Sequence, residues 1–236
     1  MKLSIVIPCY NEAESLPRLF ESIGSAIMRD DIEVLLVNNG STDNTEQVLA
    51  ELALHYPMVH VVHVSVKKGY GFGVLSGLRE ARGEYIGWMH GDLQPPFSDA
   101  LNALRVIEER GNPTNVYVKG LRKGRSLFDE FFTYGMAVFE TLLLRTVLYD
   151  INAQPNIFHR SFFEQRWLHS PHDFALDLYA LYTAKRHGLE IIRIPVQFPK
   201  RQFGQSHWNT SIAGKWKFIK RTIVFSFALK KRLARV

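Results

Sequence analysis

The sequence predicts an α/β protein built on a doubly wound, mostly parallel β-sheet with helices on both faces. Apolar runs that are typical of strands alternate with segments whose apolar positions recur at helical spacing. The first run, residues 3–7 (LSIVI), is apolar except for Ser4, which is the pattern of a strand buried on both faces. The runs end in polar turns, and the carboxyl ends of parallel strands share the edge of the sheet at which ligands bind.

The first half of the chain predicts four strands, at residues 3–7, 33–37, 59–66 and 85–89. One helix begins at about residue 15 with Pro17 in its first turn, and a second follows the capping pair Asp43 and Glu46. A glycine-rich loop at residues 67–73 precedes a third helix that runs to Arg82. The resulting β-α-β order favours parallel strands joined by crossover helices.

The second half is less regular. It predicts helices at residues 99–110, 127–147 and 174–187, strands at 115–120 and 190–198, and a loop at 150–160. Pro195 indicates that the last strand lies at an edge of the sheet, because proline cannot donate to a neighbouring strand. We expect one domain over residues 1–210, followed by an amphipathic helix over residues 211–236.

Composition places the chain among globular proteins, with 236 residues, 46% hydrophobic and 22% charged. Its one cysteine, Cys9, excludes a disulfide within the chain and suggests a reducing compartment. The amino terminus leads directly into a strand, so we expect no signal peptide.

The net charge of +6 is unevenly distributed. Residues 200–236 contain ten Lys or Arg and no acid, whereas the rest of the chain has 19 basic and 23 acidic residues. This asymmetry predicts an anionic partner for the tail, such as a membrane, a phosphate or a nucleic acid.

Three polar turns are expected to converge on one cleft at the carboxyl edge of the sheet. They read PCYNE after the first strand, NNGSTD after the second and HGDLQ after the fourth. Gly69, Gly71 and Gly73 do not match the dinucleotide-binding or P-loop spacings. They either permit close packing of a helix or lie beside a ligand.

Together these segments resemble glycosyltransferase family 2, in its polyprenyl-phosphate branch, which includes dolichol-phosphate mannose synthases. The similar pieces are SIVIPCYNEAESL, EVLLVNNGSTDNT, the glycine segment, HGDLQPP, GLR at residues 120–122 and IPVQFPKRQFGQS. The resemblance implies a GT-A fold, a nucleotide-sugar donor, a divalent metal (Mg²⁺ or Mn²⁺) and inversion at the anomeric carbon. It also implies an acceptor that is a polyprenyl phosphate, or alternatively a growing glycan or another hydroxyl.

The resemblance assigns roles by position. The implied donor-binding residues are Pro8, Tyr10, Asn11, Glu12, Asn38, Asn39, Gly69 and Asp92. The implied metal ligands are Asp92, Gln94 and His90, and the implied acceptor or phosphate-binding residues are Arg122, Arg125, Arg201 and Ser206. Asp92, Arg122 and Arg201 are the implied catalytic residues, because a departing diphosphate needs a cation and arginines to neutralise its charge.

Two positions depart from the family pattern: His90 replaces an aspartate of the metal motif, and Asn38 replaces a base-reading acid. If His90 ligates, it favours Mn²⁺ over Mg²⁺, because imidazole is a softer ligand than carboxylate. The other interpretation is that it only hydrogen-bonds near the site. Asn38 can still pair with a base edge, since an amide both donates and accepts.

Transfer to a hydroxyl needs a general base, for which Asp177 is a candidate; the alternative places it on a helix surface. A phosphate monoester needs none, because it is already an anion at neutral pH. Arg122, Lys123 and Arg125 would then form its cradle, or else a solvated basic loop.

The tail reads as an interfacial helix on anionic lipid, and the alternative is a helix packed on the body. Its apolar run at residues 223–229 is too short to span a bilayer. Nucleic acid is disfavoured, because the body is acidic and carries no recognition motif.

We therefore expect a peripheral protein on the cytoplasmic membrane face that acts in synthesis of a cell-envelope polysaccharide. A non-catalytic nucleotide-sugar or lipid-binding module is the alternative of a different class.

Overall fold

The computed structural model describes residues 1–91, 95–124, 127–167, 170–197 and 212–233, with backbone alone at 127–129, 212–219, 221 and 232–233. The described strands are β1 Leu3–Cys9, β2 Ile32–Asn39, β3 Val59–Val64, β4 Tyr85–Trp88, β5 Val116–Lys123, β6 Asn156–His159 and β7 Glu190–Gln197. The described helices are α1 Leu16–Ala26, α2 Thr45–Ala53, α3 Tyr70–Glu80, α4 Ser98–Glu109, α5 Leu127–Leu144, α6 Arg160–Arg166, α7 Leu176–Arg186 and α8 Ile212–Leu233.

The described strands form a seven-stranded sheet in the order β3-β2-β1-β4-β6-β5-β7. Every pairing is parallel except the two that β6 makes with β4 and β5. The predicted doubly wound α/β class is therefore confirmed. Pro195 lies in β7, at an edge of the sheet, as its missing N–H predicts.

Two apolar cores cover the two faces of the sheet. Alternate residues of β1, such as Ile5 and Ile7, face α1 and α4 in one core, whereas Val6 faces α3 in the other, which also contains α7. This alternation follows from the two-residue side-chain period of a strand, and it explains why the central runs are apolar at most positions on both faces, with Ser4 and Glu33 as buried polar exceptions.

The structure corrects two parts of the predicted map. Residues 150–160, expected to form a loop, contain β6, which is only four residues long and has two buried apolar side chains, Ile157 and Phe158. Asn38 and Asn39, expected in a turn, are the last residues of β2, where both are buried and paired with β3. Short strands and buried amides carry too little apolar periodicity to be recognised from sequence.

Candidate active site

The carboxyl ends of β2, β1 and β4 lie side by side at one edge of the sheet. β1 pairs with β2 on one side and with β4 on the other, so the order of the strands reverses between β1 and β4. In open α/β sheets a ligand crevice forms outside the strand ends at such a reversal. The sequence therefore places its three polar turns directly after strands that end side by side.

Asn11 joins the loop after β1 to the loop after β2. Its backbone N–H donates to Ser41 Oγ at 3.1 Å, and its side-chain Oδ1 accepts the N–H of Thr42 at 2.9 Å. Asn11 has a positive φ of 54°, a conformation that asparagine tolerates better than most residues. Glu12 continues the connection, because its N–H donates to Thr45 Oγ1 at 2.9 Å. These bonds fix the two loops at a constant separation.

Asn38 and Asn39 are buried beneath the same loops. Asn38 Oδ1 accepts the N–H of Ser41 at 3.1 Å, so its amide shapes the turn after β2. Asn39 Nδ2 donates to the carbonyl of Gly69 at 3.0 Å, and its Oδ1 has no hydrogen-bond partner among the described residues. Their donor-binding roles stay predictions.

The glycines at the start of α3 allow close approach to residues 171–173. A Cβ on Gly69 would lie 2.5 Å from the carbonyl oxygen of His172, and one on Gly71 would lie 2.6 Å from that of Asp173. Phe72 N–H donates to the His172 carbonyl at 2.9 Å. Gly71 lies inside α3 rather than in a loop. Close packing, one of the two interpretations of this motif, is therefore observed.

Aromatic side chains lie in the segment that follows β1, at the start of α3 and in the segment that precedes α7. Lys67 Nζ lies 3.1 Å from the centre of the Tyr10 ring. The Tyr70 ring stacks on Phe174 with 5.2 Å between ring centres, and it lies 5.7 Å from the ring of His90, which follows β4. His90 is half-buried there. Pro8 lies within β1 rather than after it.

At the end of β5, Arg122 forms an ion pair with Asp150. Arg122 Nε donates to Asp150 Oδ1 at 2.7 Å, a terminal guanidinium N–H donates to the same oxygen, and the backbone N–H donates to Oδ2 at 2.8 Å. Burial acts to raise the pKa of Asp150, but the charge and hydrogen bonds of Arg122 hold it below its usual value. Arg122 is thus positioned at the strand end with its carboxylate partner already present.

A buried polar network lies beside this pair. Lys119 is fully buried in β5, and its Nζ donates to Ala153 O at 2.7 Å and to Asn156 Oδ1 at 2.6 Å. Asn156 Nδ2 donates in turn to Asp177 Oδ1 at 3.3 Å. Asp177 is only 4% exposed, so the interpretation that places it on a helix surface is wrong. Lys119 was missed, although a lysine inside the apolar strand NVYVKG is a recognisable signal.

Several predicted site residues lie outside the described residues: Asp92, Gln94, Arg125, Arg201 and Ser206. Of the predicted metal ligands, His90 alone belongs to the described part. Within that part, no group of three or more His, Cys, Asp or Glu side chains is arranged to hold a metal ion. The metal site therefore stays a prediction.

The comparisons with known proteins agree with this arrangement. The model of a family described as "Glycosyl transferase family 2" matches residues 4–167. The undecaprenyl-phosphate 4-deoxy-4-formamido-L-arabinose transferase of Yersinia enterocolitica is 36% identical over 112 residues, which cover 46% of this chain and 34% of that protein. The dolichol-phosphate mannosyltransferase of Pyrococcus furiosus is 38% identical over 96 residues, 41% of this chain and 27% of that protein. Each match thus spans about a third of the relative or less.

Solved structures share the fold. Glucosyl-3-phosphoglycerate synthase from Mycobacterium tuberculosis, in complex with Mn²⁺, UDP and glucosyl-3-phosphoglycerate, gives a TM-score of 0.70 at 17% identity, covering 97% of this chain and 79% of that one. The mannosyltransferase PcManGT from Pyrobaculum calidifontis, in complex with GDP-Man and Mn²⁺, gives 0.65 at 21% identity, covering 86% and 58%. The expected GT-A fold is confirmed, and because the family model covers most of the sheet and its crevice, the chain belongs to glycosyl transferase family 2.

Proposed function

We propose that this protein is an inverting, metal-dependent glycosyltransferase that moves a sugar from a nucleotide-sugar donor to a polyprenyl phosphate at the cytoplasmic membrane face. The observation that carries the proposal is that β1, β2 and β4, each followed in the sequence by a polar turn, end side by side at the strand reversal between β1 and β4. Both curated relatives are named as transferases for polyprenyl phosphates, undecaprenyl and dolichol phosphate.

The donor half uses the loops after β1 and β2. The Asn11 bonds to Ser41 and Thr42 hold these loops together, so a nucleotide entering the crevice meets a preformed surface. Tyr10 provides an aromatic face on which a base can stack, and Lys67 above the ring provides a positive charge for a phosphate. Among the solved neighbours, one complex contains GDP-Man and another contains UDP.

A divalent cation would be held by Asp92, Gln94 and His90. Carboxylate and amide oxygens suit Mg²⁺ and Mn²⁺, and an added imidazole suits Mn²⁺ better, so this donor set fits the group. When bound, the cation neutralises charge on the departing diphosphate. We expect higher activity with Mn²⁺ than with Mg²⁺, and equal rates and half-saturation for both ions would contradict ligation by His90.

The acceptor half lies toward β5. Arg122, with its planar guanidinium fixed by Asp150, presents positive charge at the strand end. A phosphate monoester bound there is already a nucleophile at neutral pH, because its second pKa is about 6. Transfer to it requires no general base.

The proposal that the protein lies on a membrane is supported by an exposed apolar stripe on α5. The large exposed side chains of the stripe recur at helical spacing: Phe131, Tyr134, Val138 and Leu142. Phe131 and Leu142 are 72% and 74% exposed. Contiguous apolar surface of this kind marks an interaction site on a folded protein.

The helix α8 extends this surface. Ser226 and Leu229 are buried on one side of α8. Phe227 contacts Phe139 of α5 with 6.1 Å between ring centres. The opposite side exposes Val224 and Phe227 between lysines at each end, Lys220, Lys230 and Lys231. Apolar side chains flanked by lysines fit a bilayer surface with anionic headgroups. None of the helices in the described ranges is both long and apolar enough to cross a bilayer.

The test is transfer of radiolabelled sugar. UDP- and GDP-sugars are first screened by thermal shift, since a ligand of the native state raises the melting temperature. The selected donor is then incubated with Mn²⁺ and a short-chain prenyl phosphate. We expect an organic-extractable, mild-acid-labile product that disappears in Asp92→Ala and persists in the control Asp30→Ala, whose side chain is exposed. Donor binding without release of nucleotide would instead indicate a binding module.

The hydrogen bond that orients Asp177 supports a second candidate, transfer to a hydroxyl of a glycan. A carboxylate oriented by Asn156 at the start of α7 is a suitable general base for such an acceptor. Product that stays in the aqueous phase, and is lost in Asp177→Asn, would support this candidate over the phosphate acceptor.

A further inference from the structure

We propose that Lys119 is a buried counter-charge that takes up a proton when a phosphate-monoester acceptor binds at the carboxyl end of β5. The inference rests on the proposed function, because it assumes an anionic acceptor at that position. Lys119 lies outside the metal and donor motifs, within β5.

Lys119 lies in a row of side chains that crosses the sheet. In register, it pairs with Asn156 of β6 on one side and with Arg193 of β7 on the other, and Asn156 pairs with Trp88 of β4. Two basic residues are therefore cross-strand neighbours. Like charges at such positions destabilise each other, so a proton on Lys119 costs free energy in the unliganded protein.

The hydrogen bonds of Lys119 satisfy it without a carboxylate. Nζ donates to a backbone carbonyl, that of Ala153, and to the amide oxygen of Asn156. The same oxygen accepts the hydroxyl of Tyr117 at 3.1 Å, which fixes the amide so that its Nδ2 faces Asp177. Lys119 and Asp177 are thus separated by one neutral side chain. Neither of these two hydrogen bonds requires Lys119 to be charged, because a neutral amine still has two N–H donors.

The charges around Lys119 balance only when it is neutral. The charged groups that influence it come from α7, from β7, from the segment before β6 and from β5 itself: Asp177, Arg193, Asp150 and Arg122. Two of these are acids and two are guanidinium groups. A charged Lys119 leaves the cluster with one excess positive charge, and a bound phosphate would remove that excess.

Burial is the physical cause that brings the pKa of Lys119 close to neutral pH. Desolvation lowers the pKa of Lys119 from 10.5 to about 7, with Arg193 and Arg122 acting in the same direction and Asp177 and Asp150 opposing them. An anion placed beside Arg122 stabilises the charged amine and raises this pKa. Near neutral pH, binding of acceptor is therefore coupled to protonation of Lys119 Nζ by a proton from solvent.

The proton uptake can be measured by calorimetry. Citronellyl phosphate is titrated into the full chain near pH 7 in two buffers that differ in ionisation enthalpy, and the difference in apparent binding enthalpy gives the number of protons taken up. We expect uptake of roughly half a proton, because a group with a pKa of about 7 is half protonated there. Lys119→Met should abolish it. Lys2→Met should not abolish it, because Lys2 directly precedes β1, at the amino-terminal ends of the parallel strands.

The same experiment separates the sources of phosphate. Uptake with citronellyl phosphate and also with inorganic phosphate supports recognition of the phosphate alone, and uptake with citronellyl phosphate only supports a requirement for the lipid chain. Binding with equal uptake in wild type and Lys119→Met, or with none in wild type, overturns the inference and leaves the proposed function intact. Absence of binding by citronellyl phosphate overturns both.

A second measurement does not depend on folding of the variant. In wild-type protein labelled with ¹³C at lysine Cε, the Lys119 resonance should titrate near neutrality, and citronellyl phosphate should move its midpoint upward by about one pH unit or more. A resonance that stays in the charged position up to about pH 9 in the unliganded protein would contradict the inference.

Discussion

Asp150 holds Arg122 through both its guanidinium and its backbone N–H, so one carboxylate fixes the end of β5 and the cation that it presents. Both side chains are shielded, at 11% exposure for Arg122 and 3% for Asp150. Asp150 has a positive φ of 44°, which asparagine also tolerates. Asp150→Asn therefore changes the charge without straining the backbone.

We expect Asp150→Asn to lower the free energy of unfolding by about 3 kcal/mol, because a buried guanidinium loses its counter-ion. Urea unfolding at neutral pH measures this difference. Asp30→Asn, which changes an exposed carboxylate, is the control and should change stability little. A loss of the same size in both variants would contradict the importance of the buried pair.

The left-handed conformation of Asn11 separates two roles of this residue. Asn11→Gly removes its side-chain bonds to the loop after β2 but keeps the conformation, whereas Asn11→Ala also adds strain. We expect both variants to bind the donor nucleotide about tenfold more weakly, because about 1.4 kcal/mol of loop ordering is lost. Asn11→Ala should be the less stable of the two by about 1 kcal/mol.

Thermal unfolding and nucleotide titration of the two Asn11 variants, side by side, provide the check. Equal stability of Asn11→Gly and Asn11→Ala would mean that the backbone relaxes at this position. Unchanged nucleotide affinity in both variants would show that the connection between the two loops is not needed for donor binding.

Gly71 is expected to tolerate no side chain. A Cβ there would meet three backbone atoms of residues 171–173 at 2.6–2.8 Å. Gly71→Ala should therefore destabilise the protein by about 1–3 kcal/mol, through displacement of α3 from this segment. In Gly135→Ala, within α5, a Cβ would meet no atom within 4 Å, and we expect stabilisation by about 1 kcal/mol from higher helix propensity. Chemical unfolding of the two variants compares them directly.

Glu140 makes the contact between α5 and α8 sensitive to pH. It is buried against Ser226, and burial raises its pKa from 4.5 to about 7, although the hydrogen bond with Ser226 opposes the shift. The folded protein therefore keeps a proton that the unfolded chain loses at lower pH. Stability is lost as the pH rises from 4.5 to about 7, and the full penalty is present above that range.

Glu140→Gln should remove this penalty and raise the free energy of unfolding by up to ~3 kcal/mol at about pH 8, with little change at about pH 4. Glu130→Gln, an exposed position on the same helix, serves as the matched control. Urea titrations at the two pH values measure the effect. If the free energy of unfolding of Glu140→Gln varied with pH in parallel with that of the wild type, the proposed role of Glu140 would be contradicted.

The proposed membrane surface predicts that two sets of exposed apolar side chains differ in their effect on vesicle binding. Replacing Phe131 and Leu142 on α5 by serine should reduce partitioning onto vesicles that contain anionic lipid by about tenfold or more, since each burial contributes roughly 1.5–3 kcal/mol. Serine at Met28 and Leu54, which are 89% and 83% exposed, should have no effect.

Vesicle co-sedimentation with and without added salt distinguishes the apolar contribution from the basic one, which salt screens. A self-associating surface would instead show a change in oligomeric state without vesicles. Unaltered partitioning after deletion of residues 211–236 would exclude a contribution from the basic helix.

Sequence patterns predicted the parts of the fold in which most positions of a segment are apolar and so indicate the same element. The largely apolar runs of β1 and β2 are buried on both faces, and the turns that follow them meet as expected. The prediction failed where tertiary contacts outweigh local pattern. Asp177 was assigned an alternative place on a helix surface, but α7 is covered along several faces, with Leu176, Leu178 and Tyr179 all buried. Periodicity could not reveal that Asn156, in a strand of only four residues, would donate a hydrogen bond to Asp177.

The reversed direction of β6 has a consequence for how acceptor selection can change. Because β6 runs against its neighbours, the residues that precede it, rather than those that follow it, reach the ligand edge, and they bring Asp150 and Ala153 to β5. The proposed donor half uses other loops, after β1 and β2. If the proposed function holds, we expect that swapping residues 145–155 for the equivalent segment of a relative changes the choice of acceptor and leaves the choice of nucleotide unaltered.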